Sequence, residues 1–128
     1  MQFNPILAAA VLGLGTFVNL GFASNVCATT TALEGYVRDY HACIAEKAQA
    51  FEINGDTPDT VATAALAACT NFRQRIEDHV DLCGGANGES GAQVMQDAAQ
   101  EYRDFAIQAV LDFRAKRQAD ESKLGLPR

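Results

Sequence analysis

The sequence predicts an all-α protein: a disulfide-braced antiparallel helical hairpin followed by a long third helix, together a three-helix bundle. Three observations lead there. Apolar residues recur at three- and four-residue steps through three long stretches, and short runs of turn formers separate these stretches. No alternating apolar and polar run enriched in β-branched residues suits a strand. The 128 residues fit one domain, with no stretch of linker composition long enough to divide it.

The first helix is expected over about residues 31–52. Thr31 and Glu34 form a capping-box pair at its start. Leu33, Tyr36, Val37, Tyr40, Ile44, Ala48 and Phe51 then fall along one face. Asn54, Gly55 and Asp56 are turn formers, and Thr57 with Pro58 supplies a cap and a first-turn proline. The second helix is expected over 58–83, with Ala62, Cys69, Ile76 and Cys83 at seven-residue steps beside Leu66, Phe72 and Val80. Gly84 and Gly85 end it, and the glycine-rich passage to Gly91 is a connector. Ser90 and Gln93 cap a third helix over 91–119, whose stripe reads Val94, Ala98, Tyr102, Phe105, Ala109 and Phe113. Arg114, Lys116 and Arg117 suit the negative end of its dipole.

The four cysteines allow three pairings, and helix geometry removes two of them. Cys69 and Cys83 lie about 21 Å apart on one helix, beyond the roughly 7 Å reach of a bridge. Pairing Cys27 with Cys69 and Cys43 with Cys83 requires parallel helices, whereas the short turn at 54–57 makes them antiparallel. Cys43 with Cys69 and Cys27 with Cys83 remain, both centred on the turn at Gly55 and Asp56. The doubly bridged pair resembles the twin-cysteine coiled-coil-helix proteins. That family spaces its cysteines more closely than the fifteen and thirteen intervening residues here, so the resemblance implies no function.

The N-terminus sets the expected compartment. No charge occurs from Pro5 to Ala23, and Ile6 to Val18 has the length of a signal-peptide core. Residues 1–23 therefore read as a signal peptide cut before Ser24, leaving residues 24–128 as a single helical domain in a periplasm or an extracellular medium. No stable membrane insertion is expected after cleavage. Sixteen acidic residues against ten basic give a net charge of −6, which repels phosphate backbones and argues against nucleic acid as a partner.

Catalytic and metal-binding patterns are absent at this level. The cysteines are committed to bridges, and Ser90 lacks both the Gly-x-Ser-x-Gly spacing and the preceding strand of a nucleophile elbow. His41 and His79 fall about 13 Å apart on the hairpin register, too far to share a metal. Glu77, Asp78, His79 and Asp81 read as a solvated acidic face carrying one histidine. No cofactor, metal site or catalytic residue is expected. Ile107 and Leu111, one turn apart among Gln100, Arg103, Asp104 and Arg114, form a small apolar patch suited to a protein partner or to self-association.

The expectation is an exported helical binding or interaction protein without catalytic activity. A structural or holdase-like stress protein is the alternative. A small-ligand carrier, or an enzyme, directed by Tyr36, Tyr40 and Tyr102, is the third reading.

Overall fold

The computed structural model describes residues 27–127, and every regular element among them is helical. The expected signal segment, residues 1–23, and the cleavage point before Ser24 lie outside the described residues. Contacts set the described residues before 33 apart from a compact second unit that begins at Leu33. Among the described residues, the hydrophobic core and the ion pairs belong to the second unit.

Helix α1 runs Thr31–Phe51 and passes into a 3-10 turn, Glu52–Asn54. Tyr40, Cys43, Ile44 and Ala48 are buried on it, with Leu33, Tyr36, Val37 and Phe51 packed at the margin. Gly55 ends the turn at a left-handed φ of 70°, which glycine reaches at no steric cost. Helix α2, Pro58–Ala68, starts at Thr57, whose hydroxyl accepts from the Thr60 amide at 3.3 Å, with proline in the first turn.

The single helix expected over 58–83 is two helices, α2 and α3 (Thr70–Cys83), which meet at Cys69. Cys69 has φ −101° and ψ 17°, and its amide donates to the Leu66 carbonyl in a tightened three-residue turn. Thr70 contributes by donating its hydroxyl to the Ala67 carbonyl at 2.7 Å, a side-chain bond that competes with the backbone ladder. Cys69 is bridged to Cys43, with α-carbons 6.0 Å apart. Cys27 and Cys83 are also disulfide-bonded, and no described cysteine is free.

The third expected helix is likewise divided. A short α4, Gly91–Asp97, gives way at Ala98 to α5, Ala99–Lys123, which continues past the expected end at 119. Ser90 caps α4 by accepting from the Gln93 amide at 3.2 Å. The buried row is Met95, Tyr102, Ala106 and Val110, rotated by about one position from the expected stripe. Helix α2 packs closely along α5, and it is the small side chains that are buried there: Val61, Ala62 and Ala65 on α2, Ala106 and Val110 on α5. Small residues allow close axial approach, which turns the bulkier Phe105 and Phe113 to the flank.

The tightest backbone approach is between α3 and α4. A β-carbon on Gly91 would stand 2.1 Å from the Glu77 carbonyl oxygen and 2.5 Å from its α-carbon, so only glycine fits. The Gly91 amide also donates to the Asp81 carboxylate at 2.6 Å. Asp81 and Ser90 thus share the work of satisfying the open amides of α4.

Gly91→Ala should force α3 and α4 apart, costing roughly 2–3 kcal/mol and lowering the melting temperature by on the order of 10 °C. Gly35→Ala is the control. Its added methyl meets only the Arg38 guanidinium at 3.9 Å, and removing a helical glycine should stabilise by up to about 1 kcal/mol. Thermal melts showing equal effects would contradict the close-packing account.

Candidate functional site

The two helix junctions border one half-open cleft of about 380 Å³. Leu66 and Ala67 approach Cys69 from one side and Thr70 from the other; Met95 and Ala99 flank Ala98 in the same way. Tyr40 of α1 and Tyr102 of α5 complete the lining, their ring centroids 4.7 Å apart at an interplanar angle of 55°. Local departures from α-geometry within long helices often mark functional positions, and here both open onto the same space.

The polar part of the lining comes from α3: Arg73, Gln74 and Glu77. Arg73 Nε donates to Glu77 Oε1 at 2.7 Å, an i, i+4 pair in which the carboxylate is 14% exposed. Burial raises the Tyr40 phenol above its ordinary pKa; the nearby Arg73 charge works against that and Glu77 with it. Burial also raises Tyr102, reinforced by Tyr40 and Glu101. Both phenols stay protonated through neutral pH and so retain a hydrogen to donate.

The acidic segment of α3 differs from the expected solvated face. His79 is buried with its ring edge against Tyr36 at 5.7 Å, Glu77 is paired with Arg73, and Asp81 serves α4. Close packing of α4 at Gly91 turns this part of α3 inward. His41 lies against Phe105 and Tyr102, with ring centroids at 4.3 and 5.3 Å. Among the described residues, no group of three His, Cys, Asp or Glu is arranged to hold a metal, and no helix is long and apolar enough to cross a membrane.

Ile107 and Leu111 do not form one exposed pair. Ile107 is half-buried and packed against the core, whereas Leu111 is 43% exposed. The arginines of the same face form a latch between α5 and the segment from Glu52 to Asp59. Arg103 pairs with Asp59 at 2.5 Å, and Arg114 donates to Glu52 Oε1 at 2.6 Å and to the Asp56 carbonyl. Arg117 reaches the same Glu52 oxygen at 3.5 Å. The arginines of this face are therefore structural partners, beyond any interaction with the helix dipole.

Glu52 is 1% exposed, and its second oxygen, Oε2, is buried with no hydrogen-bond partner. The Arg114 hydrogen bond lowers the Glu52 pKa against the opposing effect of burial, with the Arg114 and Arg117 charges assisting. The same hydrogen bond raises Arg114. On the outer surface, four Gln-x-x-x-Asp pairs, 74/78, 93/97, 100/104 and 108/112, each close a side-chain hydrogen bond of 2.7–2.9 Å. They stabilise the helices while leaving the surface acidic.

Comparison of the chain with protein-family models, with curated proteins and with solved structures returned no match.

Glu52→Gln should destabilise the protein at pH 7 by roughly 1–2 kcal/mol, a discounted value because both guanidinium groups reach solvent. Glu52 has a depressed folded pKa, so its contribution is present above the unfolded value of about 4.3 and disappears as pH falls through the folded value. Denaturation curves of wild type and Glu52→Gln should converge below that pH. A constant difference from pH 7 to strongly acid solution would contradict the assignment.

Proposed function

We propose that this is an exported, non-catalytic binding protein whose ligand, or a side chain of a protein partner, enters the cleft between the two helix junctions. The frame we infer is a disulfide-braced antiparallel hairpin completed by the divided third helix. The observation that carries the reading is the shared position of the junctions. Residues on both sides of Cys69 and of Ala98 line one space, which also gathers two tyrosines, a methionine and an ion pair. A concave, largely apolar site with a few convergent polar groups is the usual form of a ligand pocket, and its volume falls in the range of such pockets. Cys43 and Cys69 stand three residues from Tyr40 and Leu66, so their bridge braces the cleft wall. Disulfides support an oxidising compartment, in keeping with the signal-like N-terminus.

Ala99 is exposed and lines the cleft, so Ala99→Trp fills the space without entering the core. In a nuclear magnetic resonance screen of small organic fragments, shifts should gather at Met95, Tyr40, Tyr102 and Thr70. They should vanish in Ala99→Trp at little-changed melting temperature. Shifts scattered over the surface, or persisting in that variant, would rule out the cleft as the site.

A further inference from the structure

We propose that the cleft takes an uncharged organic molecule of about two fused rings carrying a hydrogen-bond acceptor such as a ketone. This rests on the reading of the cleft as the binding site. It adds the chemical class of the occupant.

Size comes first. A closed apolar cavity of about 150 Å³ accepts benzene. The cleft measures about 380 Å³, room for two such rings with one side open to solvent. Its apolar lining of Leu66, Ala67, Met95 and Ala99 offers methyl and thioether surface for ring faces, and a methionine sulfur makes favourable contacts with aromatic edges.

Charge comes second. The ion pair in the wall is internally neutralised, Arg73 Nε to Glu77 Oε1 at 2.7 Å. Arg73 and Glu77 offset each other's charge, so the pair gives neither an anion nor a cation a net attraction, while either ion would lose hydration on entering a largely apolar cleft. The chain's net charge of −6 adds a general penalty for anions.

Hydrogen bonding comes third. Tyr40 and Tyr102, with ring centroids 4.7 Å apart, line the same cleft as the Arg73–Glu77 pair. Thr70 has its hydroxyl hydrogen on the Ala67 carbonyl, and the exposed Gln74 amide gives one of its two hydrogens to Asp78. Among the buried lining residues the tyrosine hydroxyls are the neutral donors, and they call for an acceptor on the ligand.

Three probes of one shape separate the possibilities: 2-acetylnaphthalene, 2-naphthoate and 2-naphthylmethylammonium, titrated into the full chain while the Met95 methyl and tyrosine ring resonances are followed. The ketone should bind about tenfold more tightly than either ion. The double variant Tyr40→Phe/Tyr102→Phe, checked for folding by its melt, should weaken the ketone about fivefold or more. Tightest binding by naphthoate or by the ammonium would overturn the neutral class and leave the cleft as the binding site. An unchanged ketone affinity in the folded double variant would overturn the donor assignment. If none of the three probes shifts Met95, the proposal and the reading beneath it both fall.

Discussion

The Cys43–Cys69 bridge is the constraint on which the cleft depends. It joins α1 to the junction of α2 and α3, and it places the buried Cys69 where the helix ladder tightens rather than in mid-helix. A helix running straight through residue 69 would carry Leu66, Ala67, Thr70 and Arg73 along one unbroken axis. The tightened turn interrupts the ladder between α2 and α3, and the Thr70 hydroxyl bond to Ala67 satisfies a carbonyl that the altered ladder would strand. The bridge also fixes the part of α1 that carries Tyr40. One covalent link thus holds the cleft wall and one of its tyrosines to a common point. Its loop of some 26 residues contributes about 3–4 kcal/mol in the chain-entropy model.

Two further features depend on close approach. Gly91 lets α4 lie against the Glu77 backbone, on the same turn of α3 whose side chain pairs with Arg73 in the cleft. Small residues along α2 and α5 bury Ala106 and Val110, which sets the rotation of α5 and carries Tyr102 inward beside Tyr40. At the far end, Glu52 ties the turn after α1 to Arg114 and Arg117 of α5. A buried carboxylate with one oxygen unpartnered is a costly element, more persuasive as a determinant of register than as a source of stability.

Much of the frame was legible because its chemistry is local. Thr57 with Pro58, and Ser90 with the Gln93 amide, mark helix starts within four residues, and the inner bridge follows from helix rise and turn length. The junctions were not legible, since the apolar repeat continues through Cys69 and Ala98 without a change of period. Nor were the partners that lie far apart in sequence: Glu52 acts 62 residues from Arg114, and Asp81 caps a helix ten residues away, with no local pattern to announce either. Gly91 read as the end of a connector and the start of a helix, with no local sign of its close contact with Glu77. For the cleft, Tyr40 and Tyr102 were among the residues singled out in the sequence, and both line it. Arg73, Glu77 and Met95 were not recognisable as cleft residues, because an i, i+4 ion pair and a helical methionine usually belong to a solvated face and a core.

We propose that the frame braced through Cys43 and Cys69 is exported. Unreduced peptide mapping by mass spectrometry, on protein purified from its native host, tests it most directly. The exported, braced protein should begin at Ser24, with the Cys43 peptide covalently linked to the Cys69 peptide and no thiol free. A chain beginning at Met1 with Cys43 and Cys69 as thiols would contradict it, removing both the oxidising compartment and the brace behind the cleft.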